Sequence, residues 1–190
     1  QLTHISADGA QWIHDVVAER APNAVLCLDA FHVVAWATDA LDQVRRDMVN
    51  RLRAGGHHDE ATALKGSRWA LLKNPPNLTG DQRTTLAGIA QANGGLYRAY
   101  LLKEQLRAIF QAVELADARA LLGGWIAWAR RCRLEPFVKL AKTIKRYQAL
   151  ILNAVEHGLS NARSEATNTH LRLLTRRAYG YHSPEALIAM

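Results

Sequence analysis

The sequence predicts an α/β core that is interrupted by a large all-helical insertion, so that the protein is predominantly helical overall. Residues 1–35 combine strand and helix patterns, residues 36–157 carry an almost wholly helical pattern, and residues 158–190 contain one further helix. We take these three ranges as the predicted domains. The last helix is expected to return to the core and close its site.

The start of the chain has the pattern of a strand–helix–strand unit. Leu2–Ser6 is roughly alternating apolar and polar, as in a short strand. Residues 10–20 have helical spacing, and Ala24–Leu28 is a continuous apolar run typical of a strand buried on both faces. A unit of this length predicts two parallel strands joined by a right-handed crossover.

Two aspartates, Asp8 and Asp29, directly follow the predicted strands. Parallel strands have their carboxyl ends at the same edge of a sheet, where α/β proteins place ligand sites. The alternative is that each aspartate only caps the helix that follows it, a position that Asp serves well. Both readings remain open from the sequence.

Breaks divide the helical insertion. Gly55–His58 ends a long helix, and Asn74–Pro76 ends a short one. His57 and His58 have no cysteine or third histidine nearby, which favours a loop over a zinc site. Thr79 predicts a helix start, because Gln82 follows at capping-box spacing.

The second half of the insertion continues this helical pattern. Helices are predicted over 96–112 and 115–132, the second interrupted at Gly123–Gly124. A further helical segment runs from Pro136 to His157, and Gly158 has the position of a helix-ending glycine.

The stretch from Ser160 to Pro184 is the most informative part of the chain. On a helix, Glu165, Arg172 and Arg176 share one stripe, while a mostly apolar stripe with Leu171 takes the opposite side. A carboxylate beside fixed cations can hold a divalent metal while the arginines hold phosphate. The alternative is a surface helix with scattered ion pairs.

Composition favours a polyanionic partner, since the net charge is +7. No apolar run is long enough for a membrane span, and the start does not resemble a signal peptide.

The two cysteines, Cys27 and Cys132, indicate reduced thiols in a cytosol rather than a disulfide framework. The chain begins at Gln1 without an initiator Met, and we expect it to be a piece of a longer protein.

Several motifs together resemble a known family. The strongest are SADGAQWIHDVVAERAPNAVLCLDAFHVV near the start, KGSRWALLKNPPNLT in the insertion, and SNARSEATNTHLRLLTRRAYGYHSPEAL near the end. Over essentially its whole length the chain resembles the catalytic region of ISL3-family transposases, enzymes of bacterial insertion sequences. The resemblance implies an RNase H-like core with a DDE set of acidic residues and a helical insertion.

The resemblance also implies an active site. Asp8 looks like the second acidic ligand and Glu165 like the third, so that these two would bind metal. Asp29, within the D-x-F-H motif that includes His32, lies near the site and is the other candidate for the second ligand. The whole enzyme is expected to use two Mg²⁺ or Mn²⁺ ions. The family's first Asp would precede Gln1, so the chain by itself is expected to be inactive.

DNA is the partner that the resemblance implies, both insertion-sequence ends and target. We expect Arg163, Arg172, Arg176 and Arg177 to contact phosphate. Arg68 and Trp69 are candidates for contact with an unpaired base, although such a tryptophan is more often a core anchor. The resemblance implies a homodimer or larger assembly in the bacterial cytoplasm, at the nucleoid. The alternatives are an inactive remnant that only binds DNA or dimerises, and a nuclease or resolvase with the same core.

Overall fold

The computed structural model describes residues 2–159, and it begins with the predicted strand–helix–strand unit. Strands β1 (His4–Ala7) and β2 (Val25–Leu28) pair in parallel, with helix α1 (Gln11–Arg20) between them in the chain. The two strands and their parallel pairing are confirmed. An RNase H-like core remains a prediction.

The edge of β2 that faces away from β1 is covered by the last described helix. The Asn153 side chain donates a hydrogen bond from Nδ2 to the carbonyl oxygen of Leu26, at 2.9 Å. The helix packs on β2, and Cys27 and Leu28 of this strand are fully buried. A short sheet of this kind needs such packing, because two strands alone are marginally stable in water.

Helices make up nearly all of the remaining described chain, which confirms a predominantly helical protein. They are α2 (Ala30–Ala54), α3 (His58–Gly66), α4 (Arg68–Leu72), α5 (Gly80–Ala92), α6 (Gly94–Ile109), α7 (Leu115–Arg131), α8 (Glu135–Arg146) and α9 (Gln148–His157), with a 3₁₀ turn at Pro75–Asn77.

Helix α2 organises the core. It packs against α3, α6 and α8, and its side chains Val33, Ala37 and Leu41 are fully buried. The helix begins directly after β2 and runs without a break past residue 36, where the helical insertion was predicted to begin. It therefore joins the strand–helix–strand unit rigidly to the rest of the described chain.

The predicted interruption of the 115–132 helix is wrong. Helix α7 continues through Gly123 and Gly124. Each glycine costs a helix about 1 kcal/mol relative to alanine. Burial of the neighbouring Leu122 and Trp125 offsets this cost, at about 1.5–3 kcal/mol for each large apolar side chain. Trp125 also donates from its indole nitrogen to the carbonyl oxygen of Leu102, at 2.8 Å.

The predicted segment from Pro136 to His157 is two helices rather than one. They are separated at Tyr147, which is not helical, with φ −94° and ψ 13°. The helix-ending role of Gly158 is confirmed, because its φ of 59° lies in the left-handed region that favours glycine. The capping box of Thr79 and Gln82 is also confirmed in both of its hydrogen bonds.

Two further expectations concern cysteines and membranes. Cys27 and Cys132 are both buried and form no disulfide. Among residues 2–159, no helix combines the length and the apolar character that crossing a membrane would require.

Candidate active site

The aspartates that follow the two strands lie side by side at one edge of the sheet. Ala7 is the register partner of Leu28, and the amide of Asp29 donates to the carbonyl oxygen of Ala7 at 2.8 Å. Asp8 and Asp29 are the next residue on each strand. The predicted placement of Asp8 and Asp29 at the carboxyl ends of neighbouring parallel strands is therefore confirmed.

Asp8 is half-buried and lies in a short loop that two hydrogen bonds hold in place. One carboxylate oxygen, Oδ1, accepts a hydrogen bond from the amide of Ala10 at 3.0 Å. The Asp8 carbonyl oxygen accepts from His14 Nε2 at 2.9 Å. Ala10, not Asp8, is the N-cap of α1. The other carboxylate oxygen, Oδ2, makes no hydrogen bond to residues 2–159, so it is available for a ligand.

Asp29 is fully buried, and both of its carboxylate oxygens accept hydrogen bonds. Its Oδ1 accepts from the amide of Phe31 at 3.4 Å, which makes Asp29 the N-cap of α2. Its Oδ2 accepts from Nδ1 of His32 at 2.8 Å. The helix-cap reading of Asp29 is thus confirmed, and the same carboxylate also binds the His32 ring. The His32 side chain is 37 % exposed.

Three further residues that sequence reasoning missed position the Asp8 loop. The hydroxyl of Tyr147 donates to the carbonyl oxygen of Gly9 at 3.1 Å. A β-carbon on Gly9 would lie only 2.5 Å from two ring carbons of Trp36, so glycine allows this close approach. The Tyr147 ring also meets the His14 ring edge-on, with 5.6 Å between centroids. In the sequence, only the Asp8–Gly9 pair indicated a turn at this place. The contacts of Tyr147 and Trp36 with Gly9 could not be predicted, because both residues are far from it along the chain.

The sequence as a whole matches one protein family. The family model of the ISL3 transposases with a DDE motif, described as "Transposase", matches residues 1–190. The chain belongs to the ISL3 transposase family.

Two similar proteins, both transposases of insertion sequences, agree with this family assignment. The chain is 49 % identical over 209 aligned residues to the "Transposase for insertion sequence element IS1557" of Mycobacterium tuberculosis, covering 100 % of this chain and 47 % of the relative. It is 32 % identical over 170 residues to the "Transposase for insertion sequence element IS1001" of Bordetella parapertussis, covering 89 % and 41 %. The chain thus spans about half the length of these relatives. No solved structure matches it.

In this ISL3 family member, the Arg68–Trp69 pair lies on the surface. Trp69 is 55 % exposed, so the alternative reading of a core anchor is wrong. The Arg68 guanidinium lies over the Trp69 ring, 5.0 Å from its centroid. Arg68 also approaches the Asp42 carboxylate at 3.8 Å. The ring is therefore partly exposed, with a guanidinium over one of its faces.

The remaining predicted site residues of this transposase-family chain lie outside the described residues. They are Glu165, Arg163, Arg172, Arg176 and Arg177. Among residues 2–159, no group of three or more metal-ligating side chains comes together. His57 and His58 are both exposed. His57 lies between α2 and α3, as the loop reading predicted, whereas His58 is the first residue of α3, so the loop reading is wrong for it.

Proposed function

We propose that this chain is part of the catalytic domain of a DNA transposase that cleaves insertion-sequence ends and transfers them to target DNA in a metal-dependent reaction. Family membership supplies the class of reaction. The observation that carries the site is Asp8, at the carboxyl edge of a parallel strand pair with one carboxylate oxygen unengaged among the described residues. Residues 1–35 and 158–190 would form an RNase H-like core, with residues 36–157 inserted.

The chemistry of Asp8 fits a hard divalent cation. Mg²⁺ and Mn²⁺ prefer carboxylate oxygens, and Asp8 keeps one such oxygen open while the other is fixed by Ala10. Asp8 and Glu165 would hold metal, two ions being expected in the whole enzyme. When bound, such ions activate the attacking oxygen and stabilise the leaving oxygen at phosphorus. Full burial and two engaged oxygens make Asp29 the poorer ligand, which supports Asp8 as the second acid.

The path of α9 is compatible with a return of Glu165 to Asp8. Helix α9 starts beside Gly9, at the carboxyl end of the strands, and ends where the His157 ring lies 4.2 Å from that of His4, at their amino end. Glu165 follows Leu159 by six residues, which would span about 9 Å as a helix and at most about 20 Å when extended. A strand of four residues is about 13 Å long, so a return of Glu165 to Asp8 requires that the chain between Leu159 and Glu165 is at least partly extended.

His32 has a separate role in this proposal. Its Nδ1 is bound to Asp29, which fixes the orientation of the ring. The other ring nitrogen, Nε2, makes no hydrogen bond within residues 2–159, and the side chain is partly open to solvent. We assign Nε2 the contact with the scissile phosphate, with Asp29 as the residue that positions the ring.

Recognition of DNA completes the proposal. Arg163, Arg172, Arg176 and Arg177 would contact phosphate, and Arg68 with Trp69 would contact an unpaired base. The exposure of Trp69 supports the latter, because an aromatic ring can stack on any base. Action as a homodimer or larger assembly, in the bacterial cytoplasm at the nucleoid, belongs to the same proposal.

Metal binding by the 190-residue chain tests the site directly. Titration with Mn²⁺, followed by electron paramagnetic resonance, should give weak binding to about one ion. Asp8→Asn should reduce the affinity at least about tenfold, because the amide keeps the hydrogen bond from Ala10 but loses the charge. Glu165→Gln should do the same. Asp15→Asn is the matched control, since Asp15 is exposed on α1 and bonded to Gln11. Equal affinity in the wild type and Asp8→Asn would remove Asp8 from the site.

Activity is tested in a transposase of the relatives' length that includes this chain. Asp8→Asn and Glu165→Gln should each abolish cleavage and leave the binding of insertion-sequence ends nearly intact. Unchanged cleavage in Glu165→Gln would exclude it as a ligand. DNA binding without any metal-dependent chemistry would favour the inactive remnant, and nicking without strand-transfer products would favour a nuclease or resolvase.

A further inference from the structure

The positive charge of this protein is concentrated in one segment. Residues 119–146 contain eight arginines and lysines and a single acid, Glu135, which gives a net charge of +7. The rest of the chain contains 16 basic and 16 acidic residues, because the totals are 24 and 17. The excess charge of the whole chain is therefore equal to that of this segment.

In the structure this segment lies on two packed helices, α7 and α8, and on the loop between them. Every basic residue of residues 119–146 is exposed. The opposite side of α8 is fully buried through Phe137, Ala141 and Ile144. The buried side fixes the helix against the core, so the basic side is presented to solvent as a rigid face. We call the exposed basic residues of this segment the α7–α8 basic surface; they are Arg119, Arg130, Arg131, Arg133, Lys139, Lys142, Lys145 and Arg146.

Among the described residues, most cations on this surface lack an acidic partner. Within that part of the chain only Lys139 forms an ion pair, with Glu135 at 3.5 Å. Elsewhere in the described chain cations cluster around acids: Asp42 is contacted by Arg45 and Arg46. Arg130, Lys142 and Arg146 form no ion pair or side-chain hydrogen bond within residues 2–159. Their charges are thus available to a partner.

The cations of this surface are neighbours in space. Arg130, Lys142 and Lys145 line one shallow depression, and Lys145 also borders a second one with Arg146. Tyr147, the next residue, donates to the carbonyl oxygen of Gly9 beside Asp8. The surface therefore ends one residue along the chain from the side chain that holds the Asp8 loop.

We propose that the α7–α8 basic surface binds the phosphate backbone of duplex DNA. Unpaired, exposed cations on a rigid face match a polymer with regularly spaced negative charges, and such contacts release counterions from DNA. The contact is made to phosphate and carries no base sequence information, so it positions DNA rather than selecting it. This inference rests on the proposed function only in taking DNA as the partner.

Salt-dependent DNA binding by the 190-residue chain tests this surface. A fluorescein-labelled duplex is titrated by anisotropy at several KCl concentrations in EDTA, so that no metal-dependent chemistry contributes. The triple variant Arg130→Gln, Lys142→Gln, Arg146→Gln should lower the affinity about tenfold or more at low salt. The slope of log affinity against log salt should fall by about 2–3, since each phosphate contact contributes about 0.9.

The control variant removes the same charges elsewhere. Arg53→Gln, Lys65→Gln and Arg83→Gln lie on α2, α3 and α5, are exposed, and form no ion pair within the described residues. This triple variant should change the slope of log affinity against log salt by less than about 0.5, which is less than the contribution of one phosphate contact. Equal losses in the two variants would overturn the proposal in favour of a general charge effect, and so would a wild-type slope in the first variant.

Two more outcomes separate this inference from the proposed function. Loss of Mn²⁺ binding in Asp8→Asn with an unchanged DNA slope in the basic-surface variant would support the metal site and overturn the surface. Binding of poly-glutamate by the wild-type chain, without binding of DNA at low salt, would assign the surface to an acidic protein and overturn DNA as its partner.

Discussion

The hydroxyl of Tyr147 donates a 3.1 Å hydrogen bond to the carbonyl oxygen of Gly9, a residue 138 positions earlier in the chain. Gly9 follows Asp8, and Tyr147 separates α8 from α9. The Trp36 ring packs against the same tyrosine, with 6.0 Å between centroids. The helical part of the protein therefore holds the loop that carries the proposed metal ligand.

The first prediction removes that hydrogen bond alone. Tyr147→Phe keeps the ring contacts with His14 and Trp36 but loses the donor to Gly9. We expect the free energy of unfolding to fall by about 1 kcal/mol, the usual net value of one such bond. Urea denaturation measures the loss, and the Ala10 amide should exchange its hydrogen faster. Tyr97→Phe is the matched control and should change stability by less than about 0.5 kcal/mol, because its hydroxyl has no partner within residues 2–159.

The second prediction concerns the close approach at Gly9. Gly9→Ala would place a β-carbon 2.5 Å from the Trp36 ring, so the ring or the loop must move. We expect a loss of about 1–3 kcal/mol in unfolding free energy, as for other overpacked sites. The double variant with Trp36→Leu should lose less than the two single changes added together. Strict additivity would mean that the two residues do not clash.

Gly124→Ala provides the control for the same substitution in an open position. A β-carbon there would meet no atom within 4 Å, and the residue lies inside α7. Alanine should therefore stabilise the protein by about 0.5–1 kcal/mol through its better helix propensity. A loss of stability at this position would show that the helix needs the flexibility of glycine.

The third prediction concerns Lys103, which is only 1 % exposed. Its Nζ donates to the carbonyl oxygen of Leu71 at 2.9 Å and lies 2.6 Å from the Glu104 carboxylate. Lys103→Met should destabilise the protein by about 2–3 kcal/mol, because it removes charged hydrogen bonds in the core. Lys139→Met should cost less than about 0.5 kcal/mol, since its pair with Glu135 is exposed. Urea unfolding of both variants gives the comparison.

The same lysine gives an expected pH dependence. Burial lowers the pKa of Lys103 below its usual 10.5, opposed by the hydrogen bond and charge of Glu104. Between the lowered pKa and 10.5 the unfolded chain binds more protons than the folded protein, so stability rises with pH in that window. The stability difference between the wild type and Lys103→Met should therefore increase as pH rises toward 10.5. A constant difference would mean that Lys103 is not desolvated in the native state.

Local signals in the sequence were sufficient for many elements. Alternation and apolar runs predicted both strands, and their spacing predicted parallel pairing. Short-range chemistry predicted the capping box at Thr79 and the left-handed Gly158, because each depends on residues within one turn. The same local reasoning failed at Gly123–Gly124, where burial of Trp125 outweighs a poor propensity for helix.

The family and the position of Asp8 after a strand were evident from residue order alone, because motifs and the sheet edge are properties of consecutive residues. Only the tertiary structure decided which aspartate keeps an unengaged oxygen, why Gly9 is glycine, and which cations of α7 and α8 are neighbours in space. These features depend on contacts between residues far apart in sequence, such as Tyr147 with Gly9, and no local pattern encodes such distances.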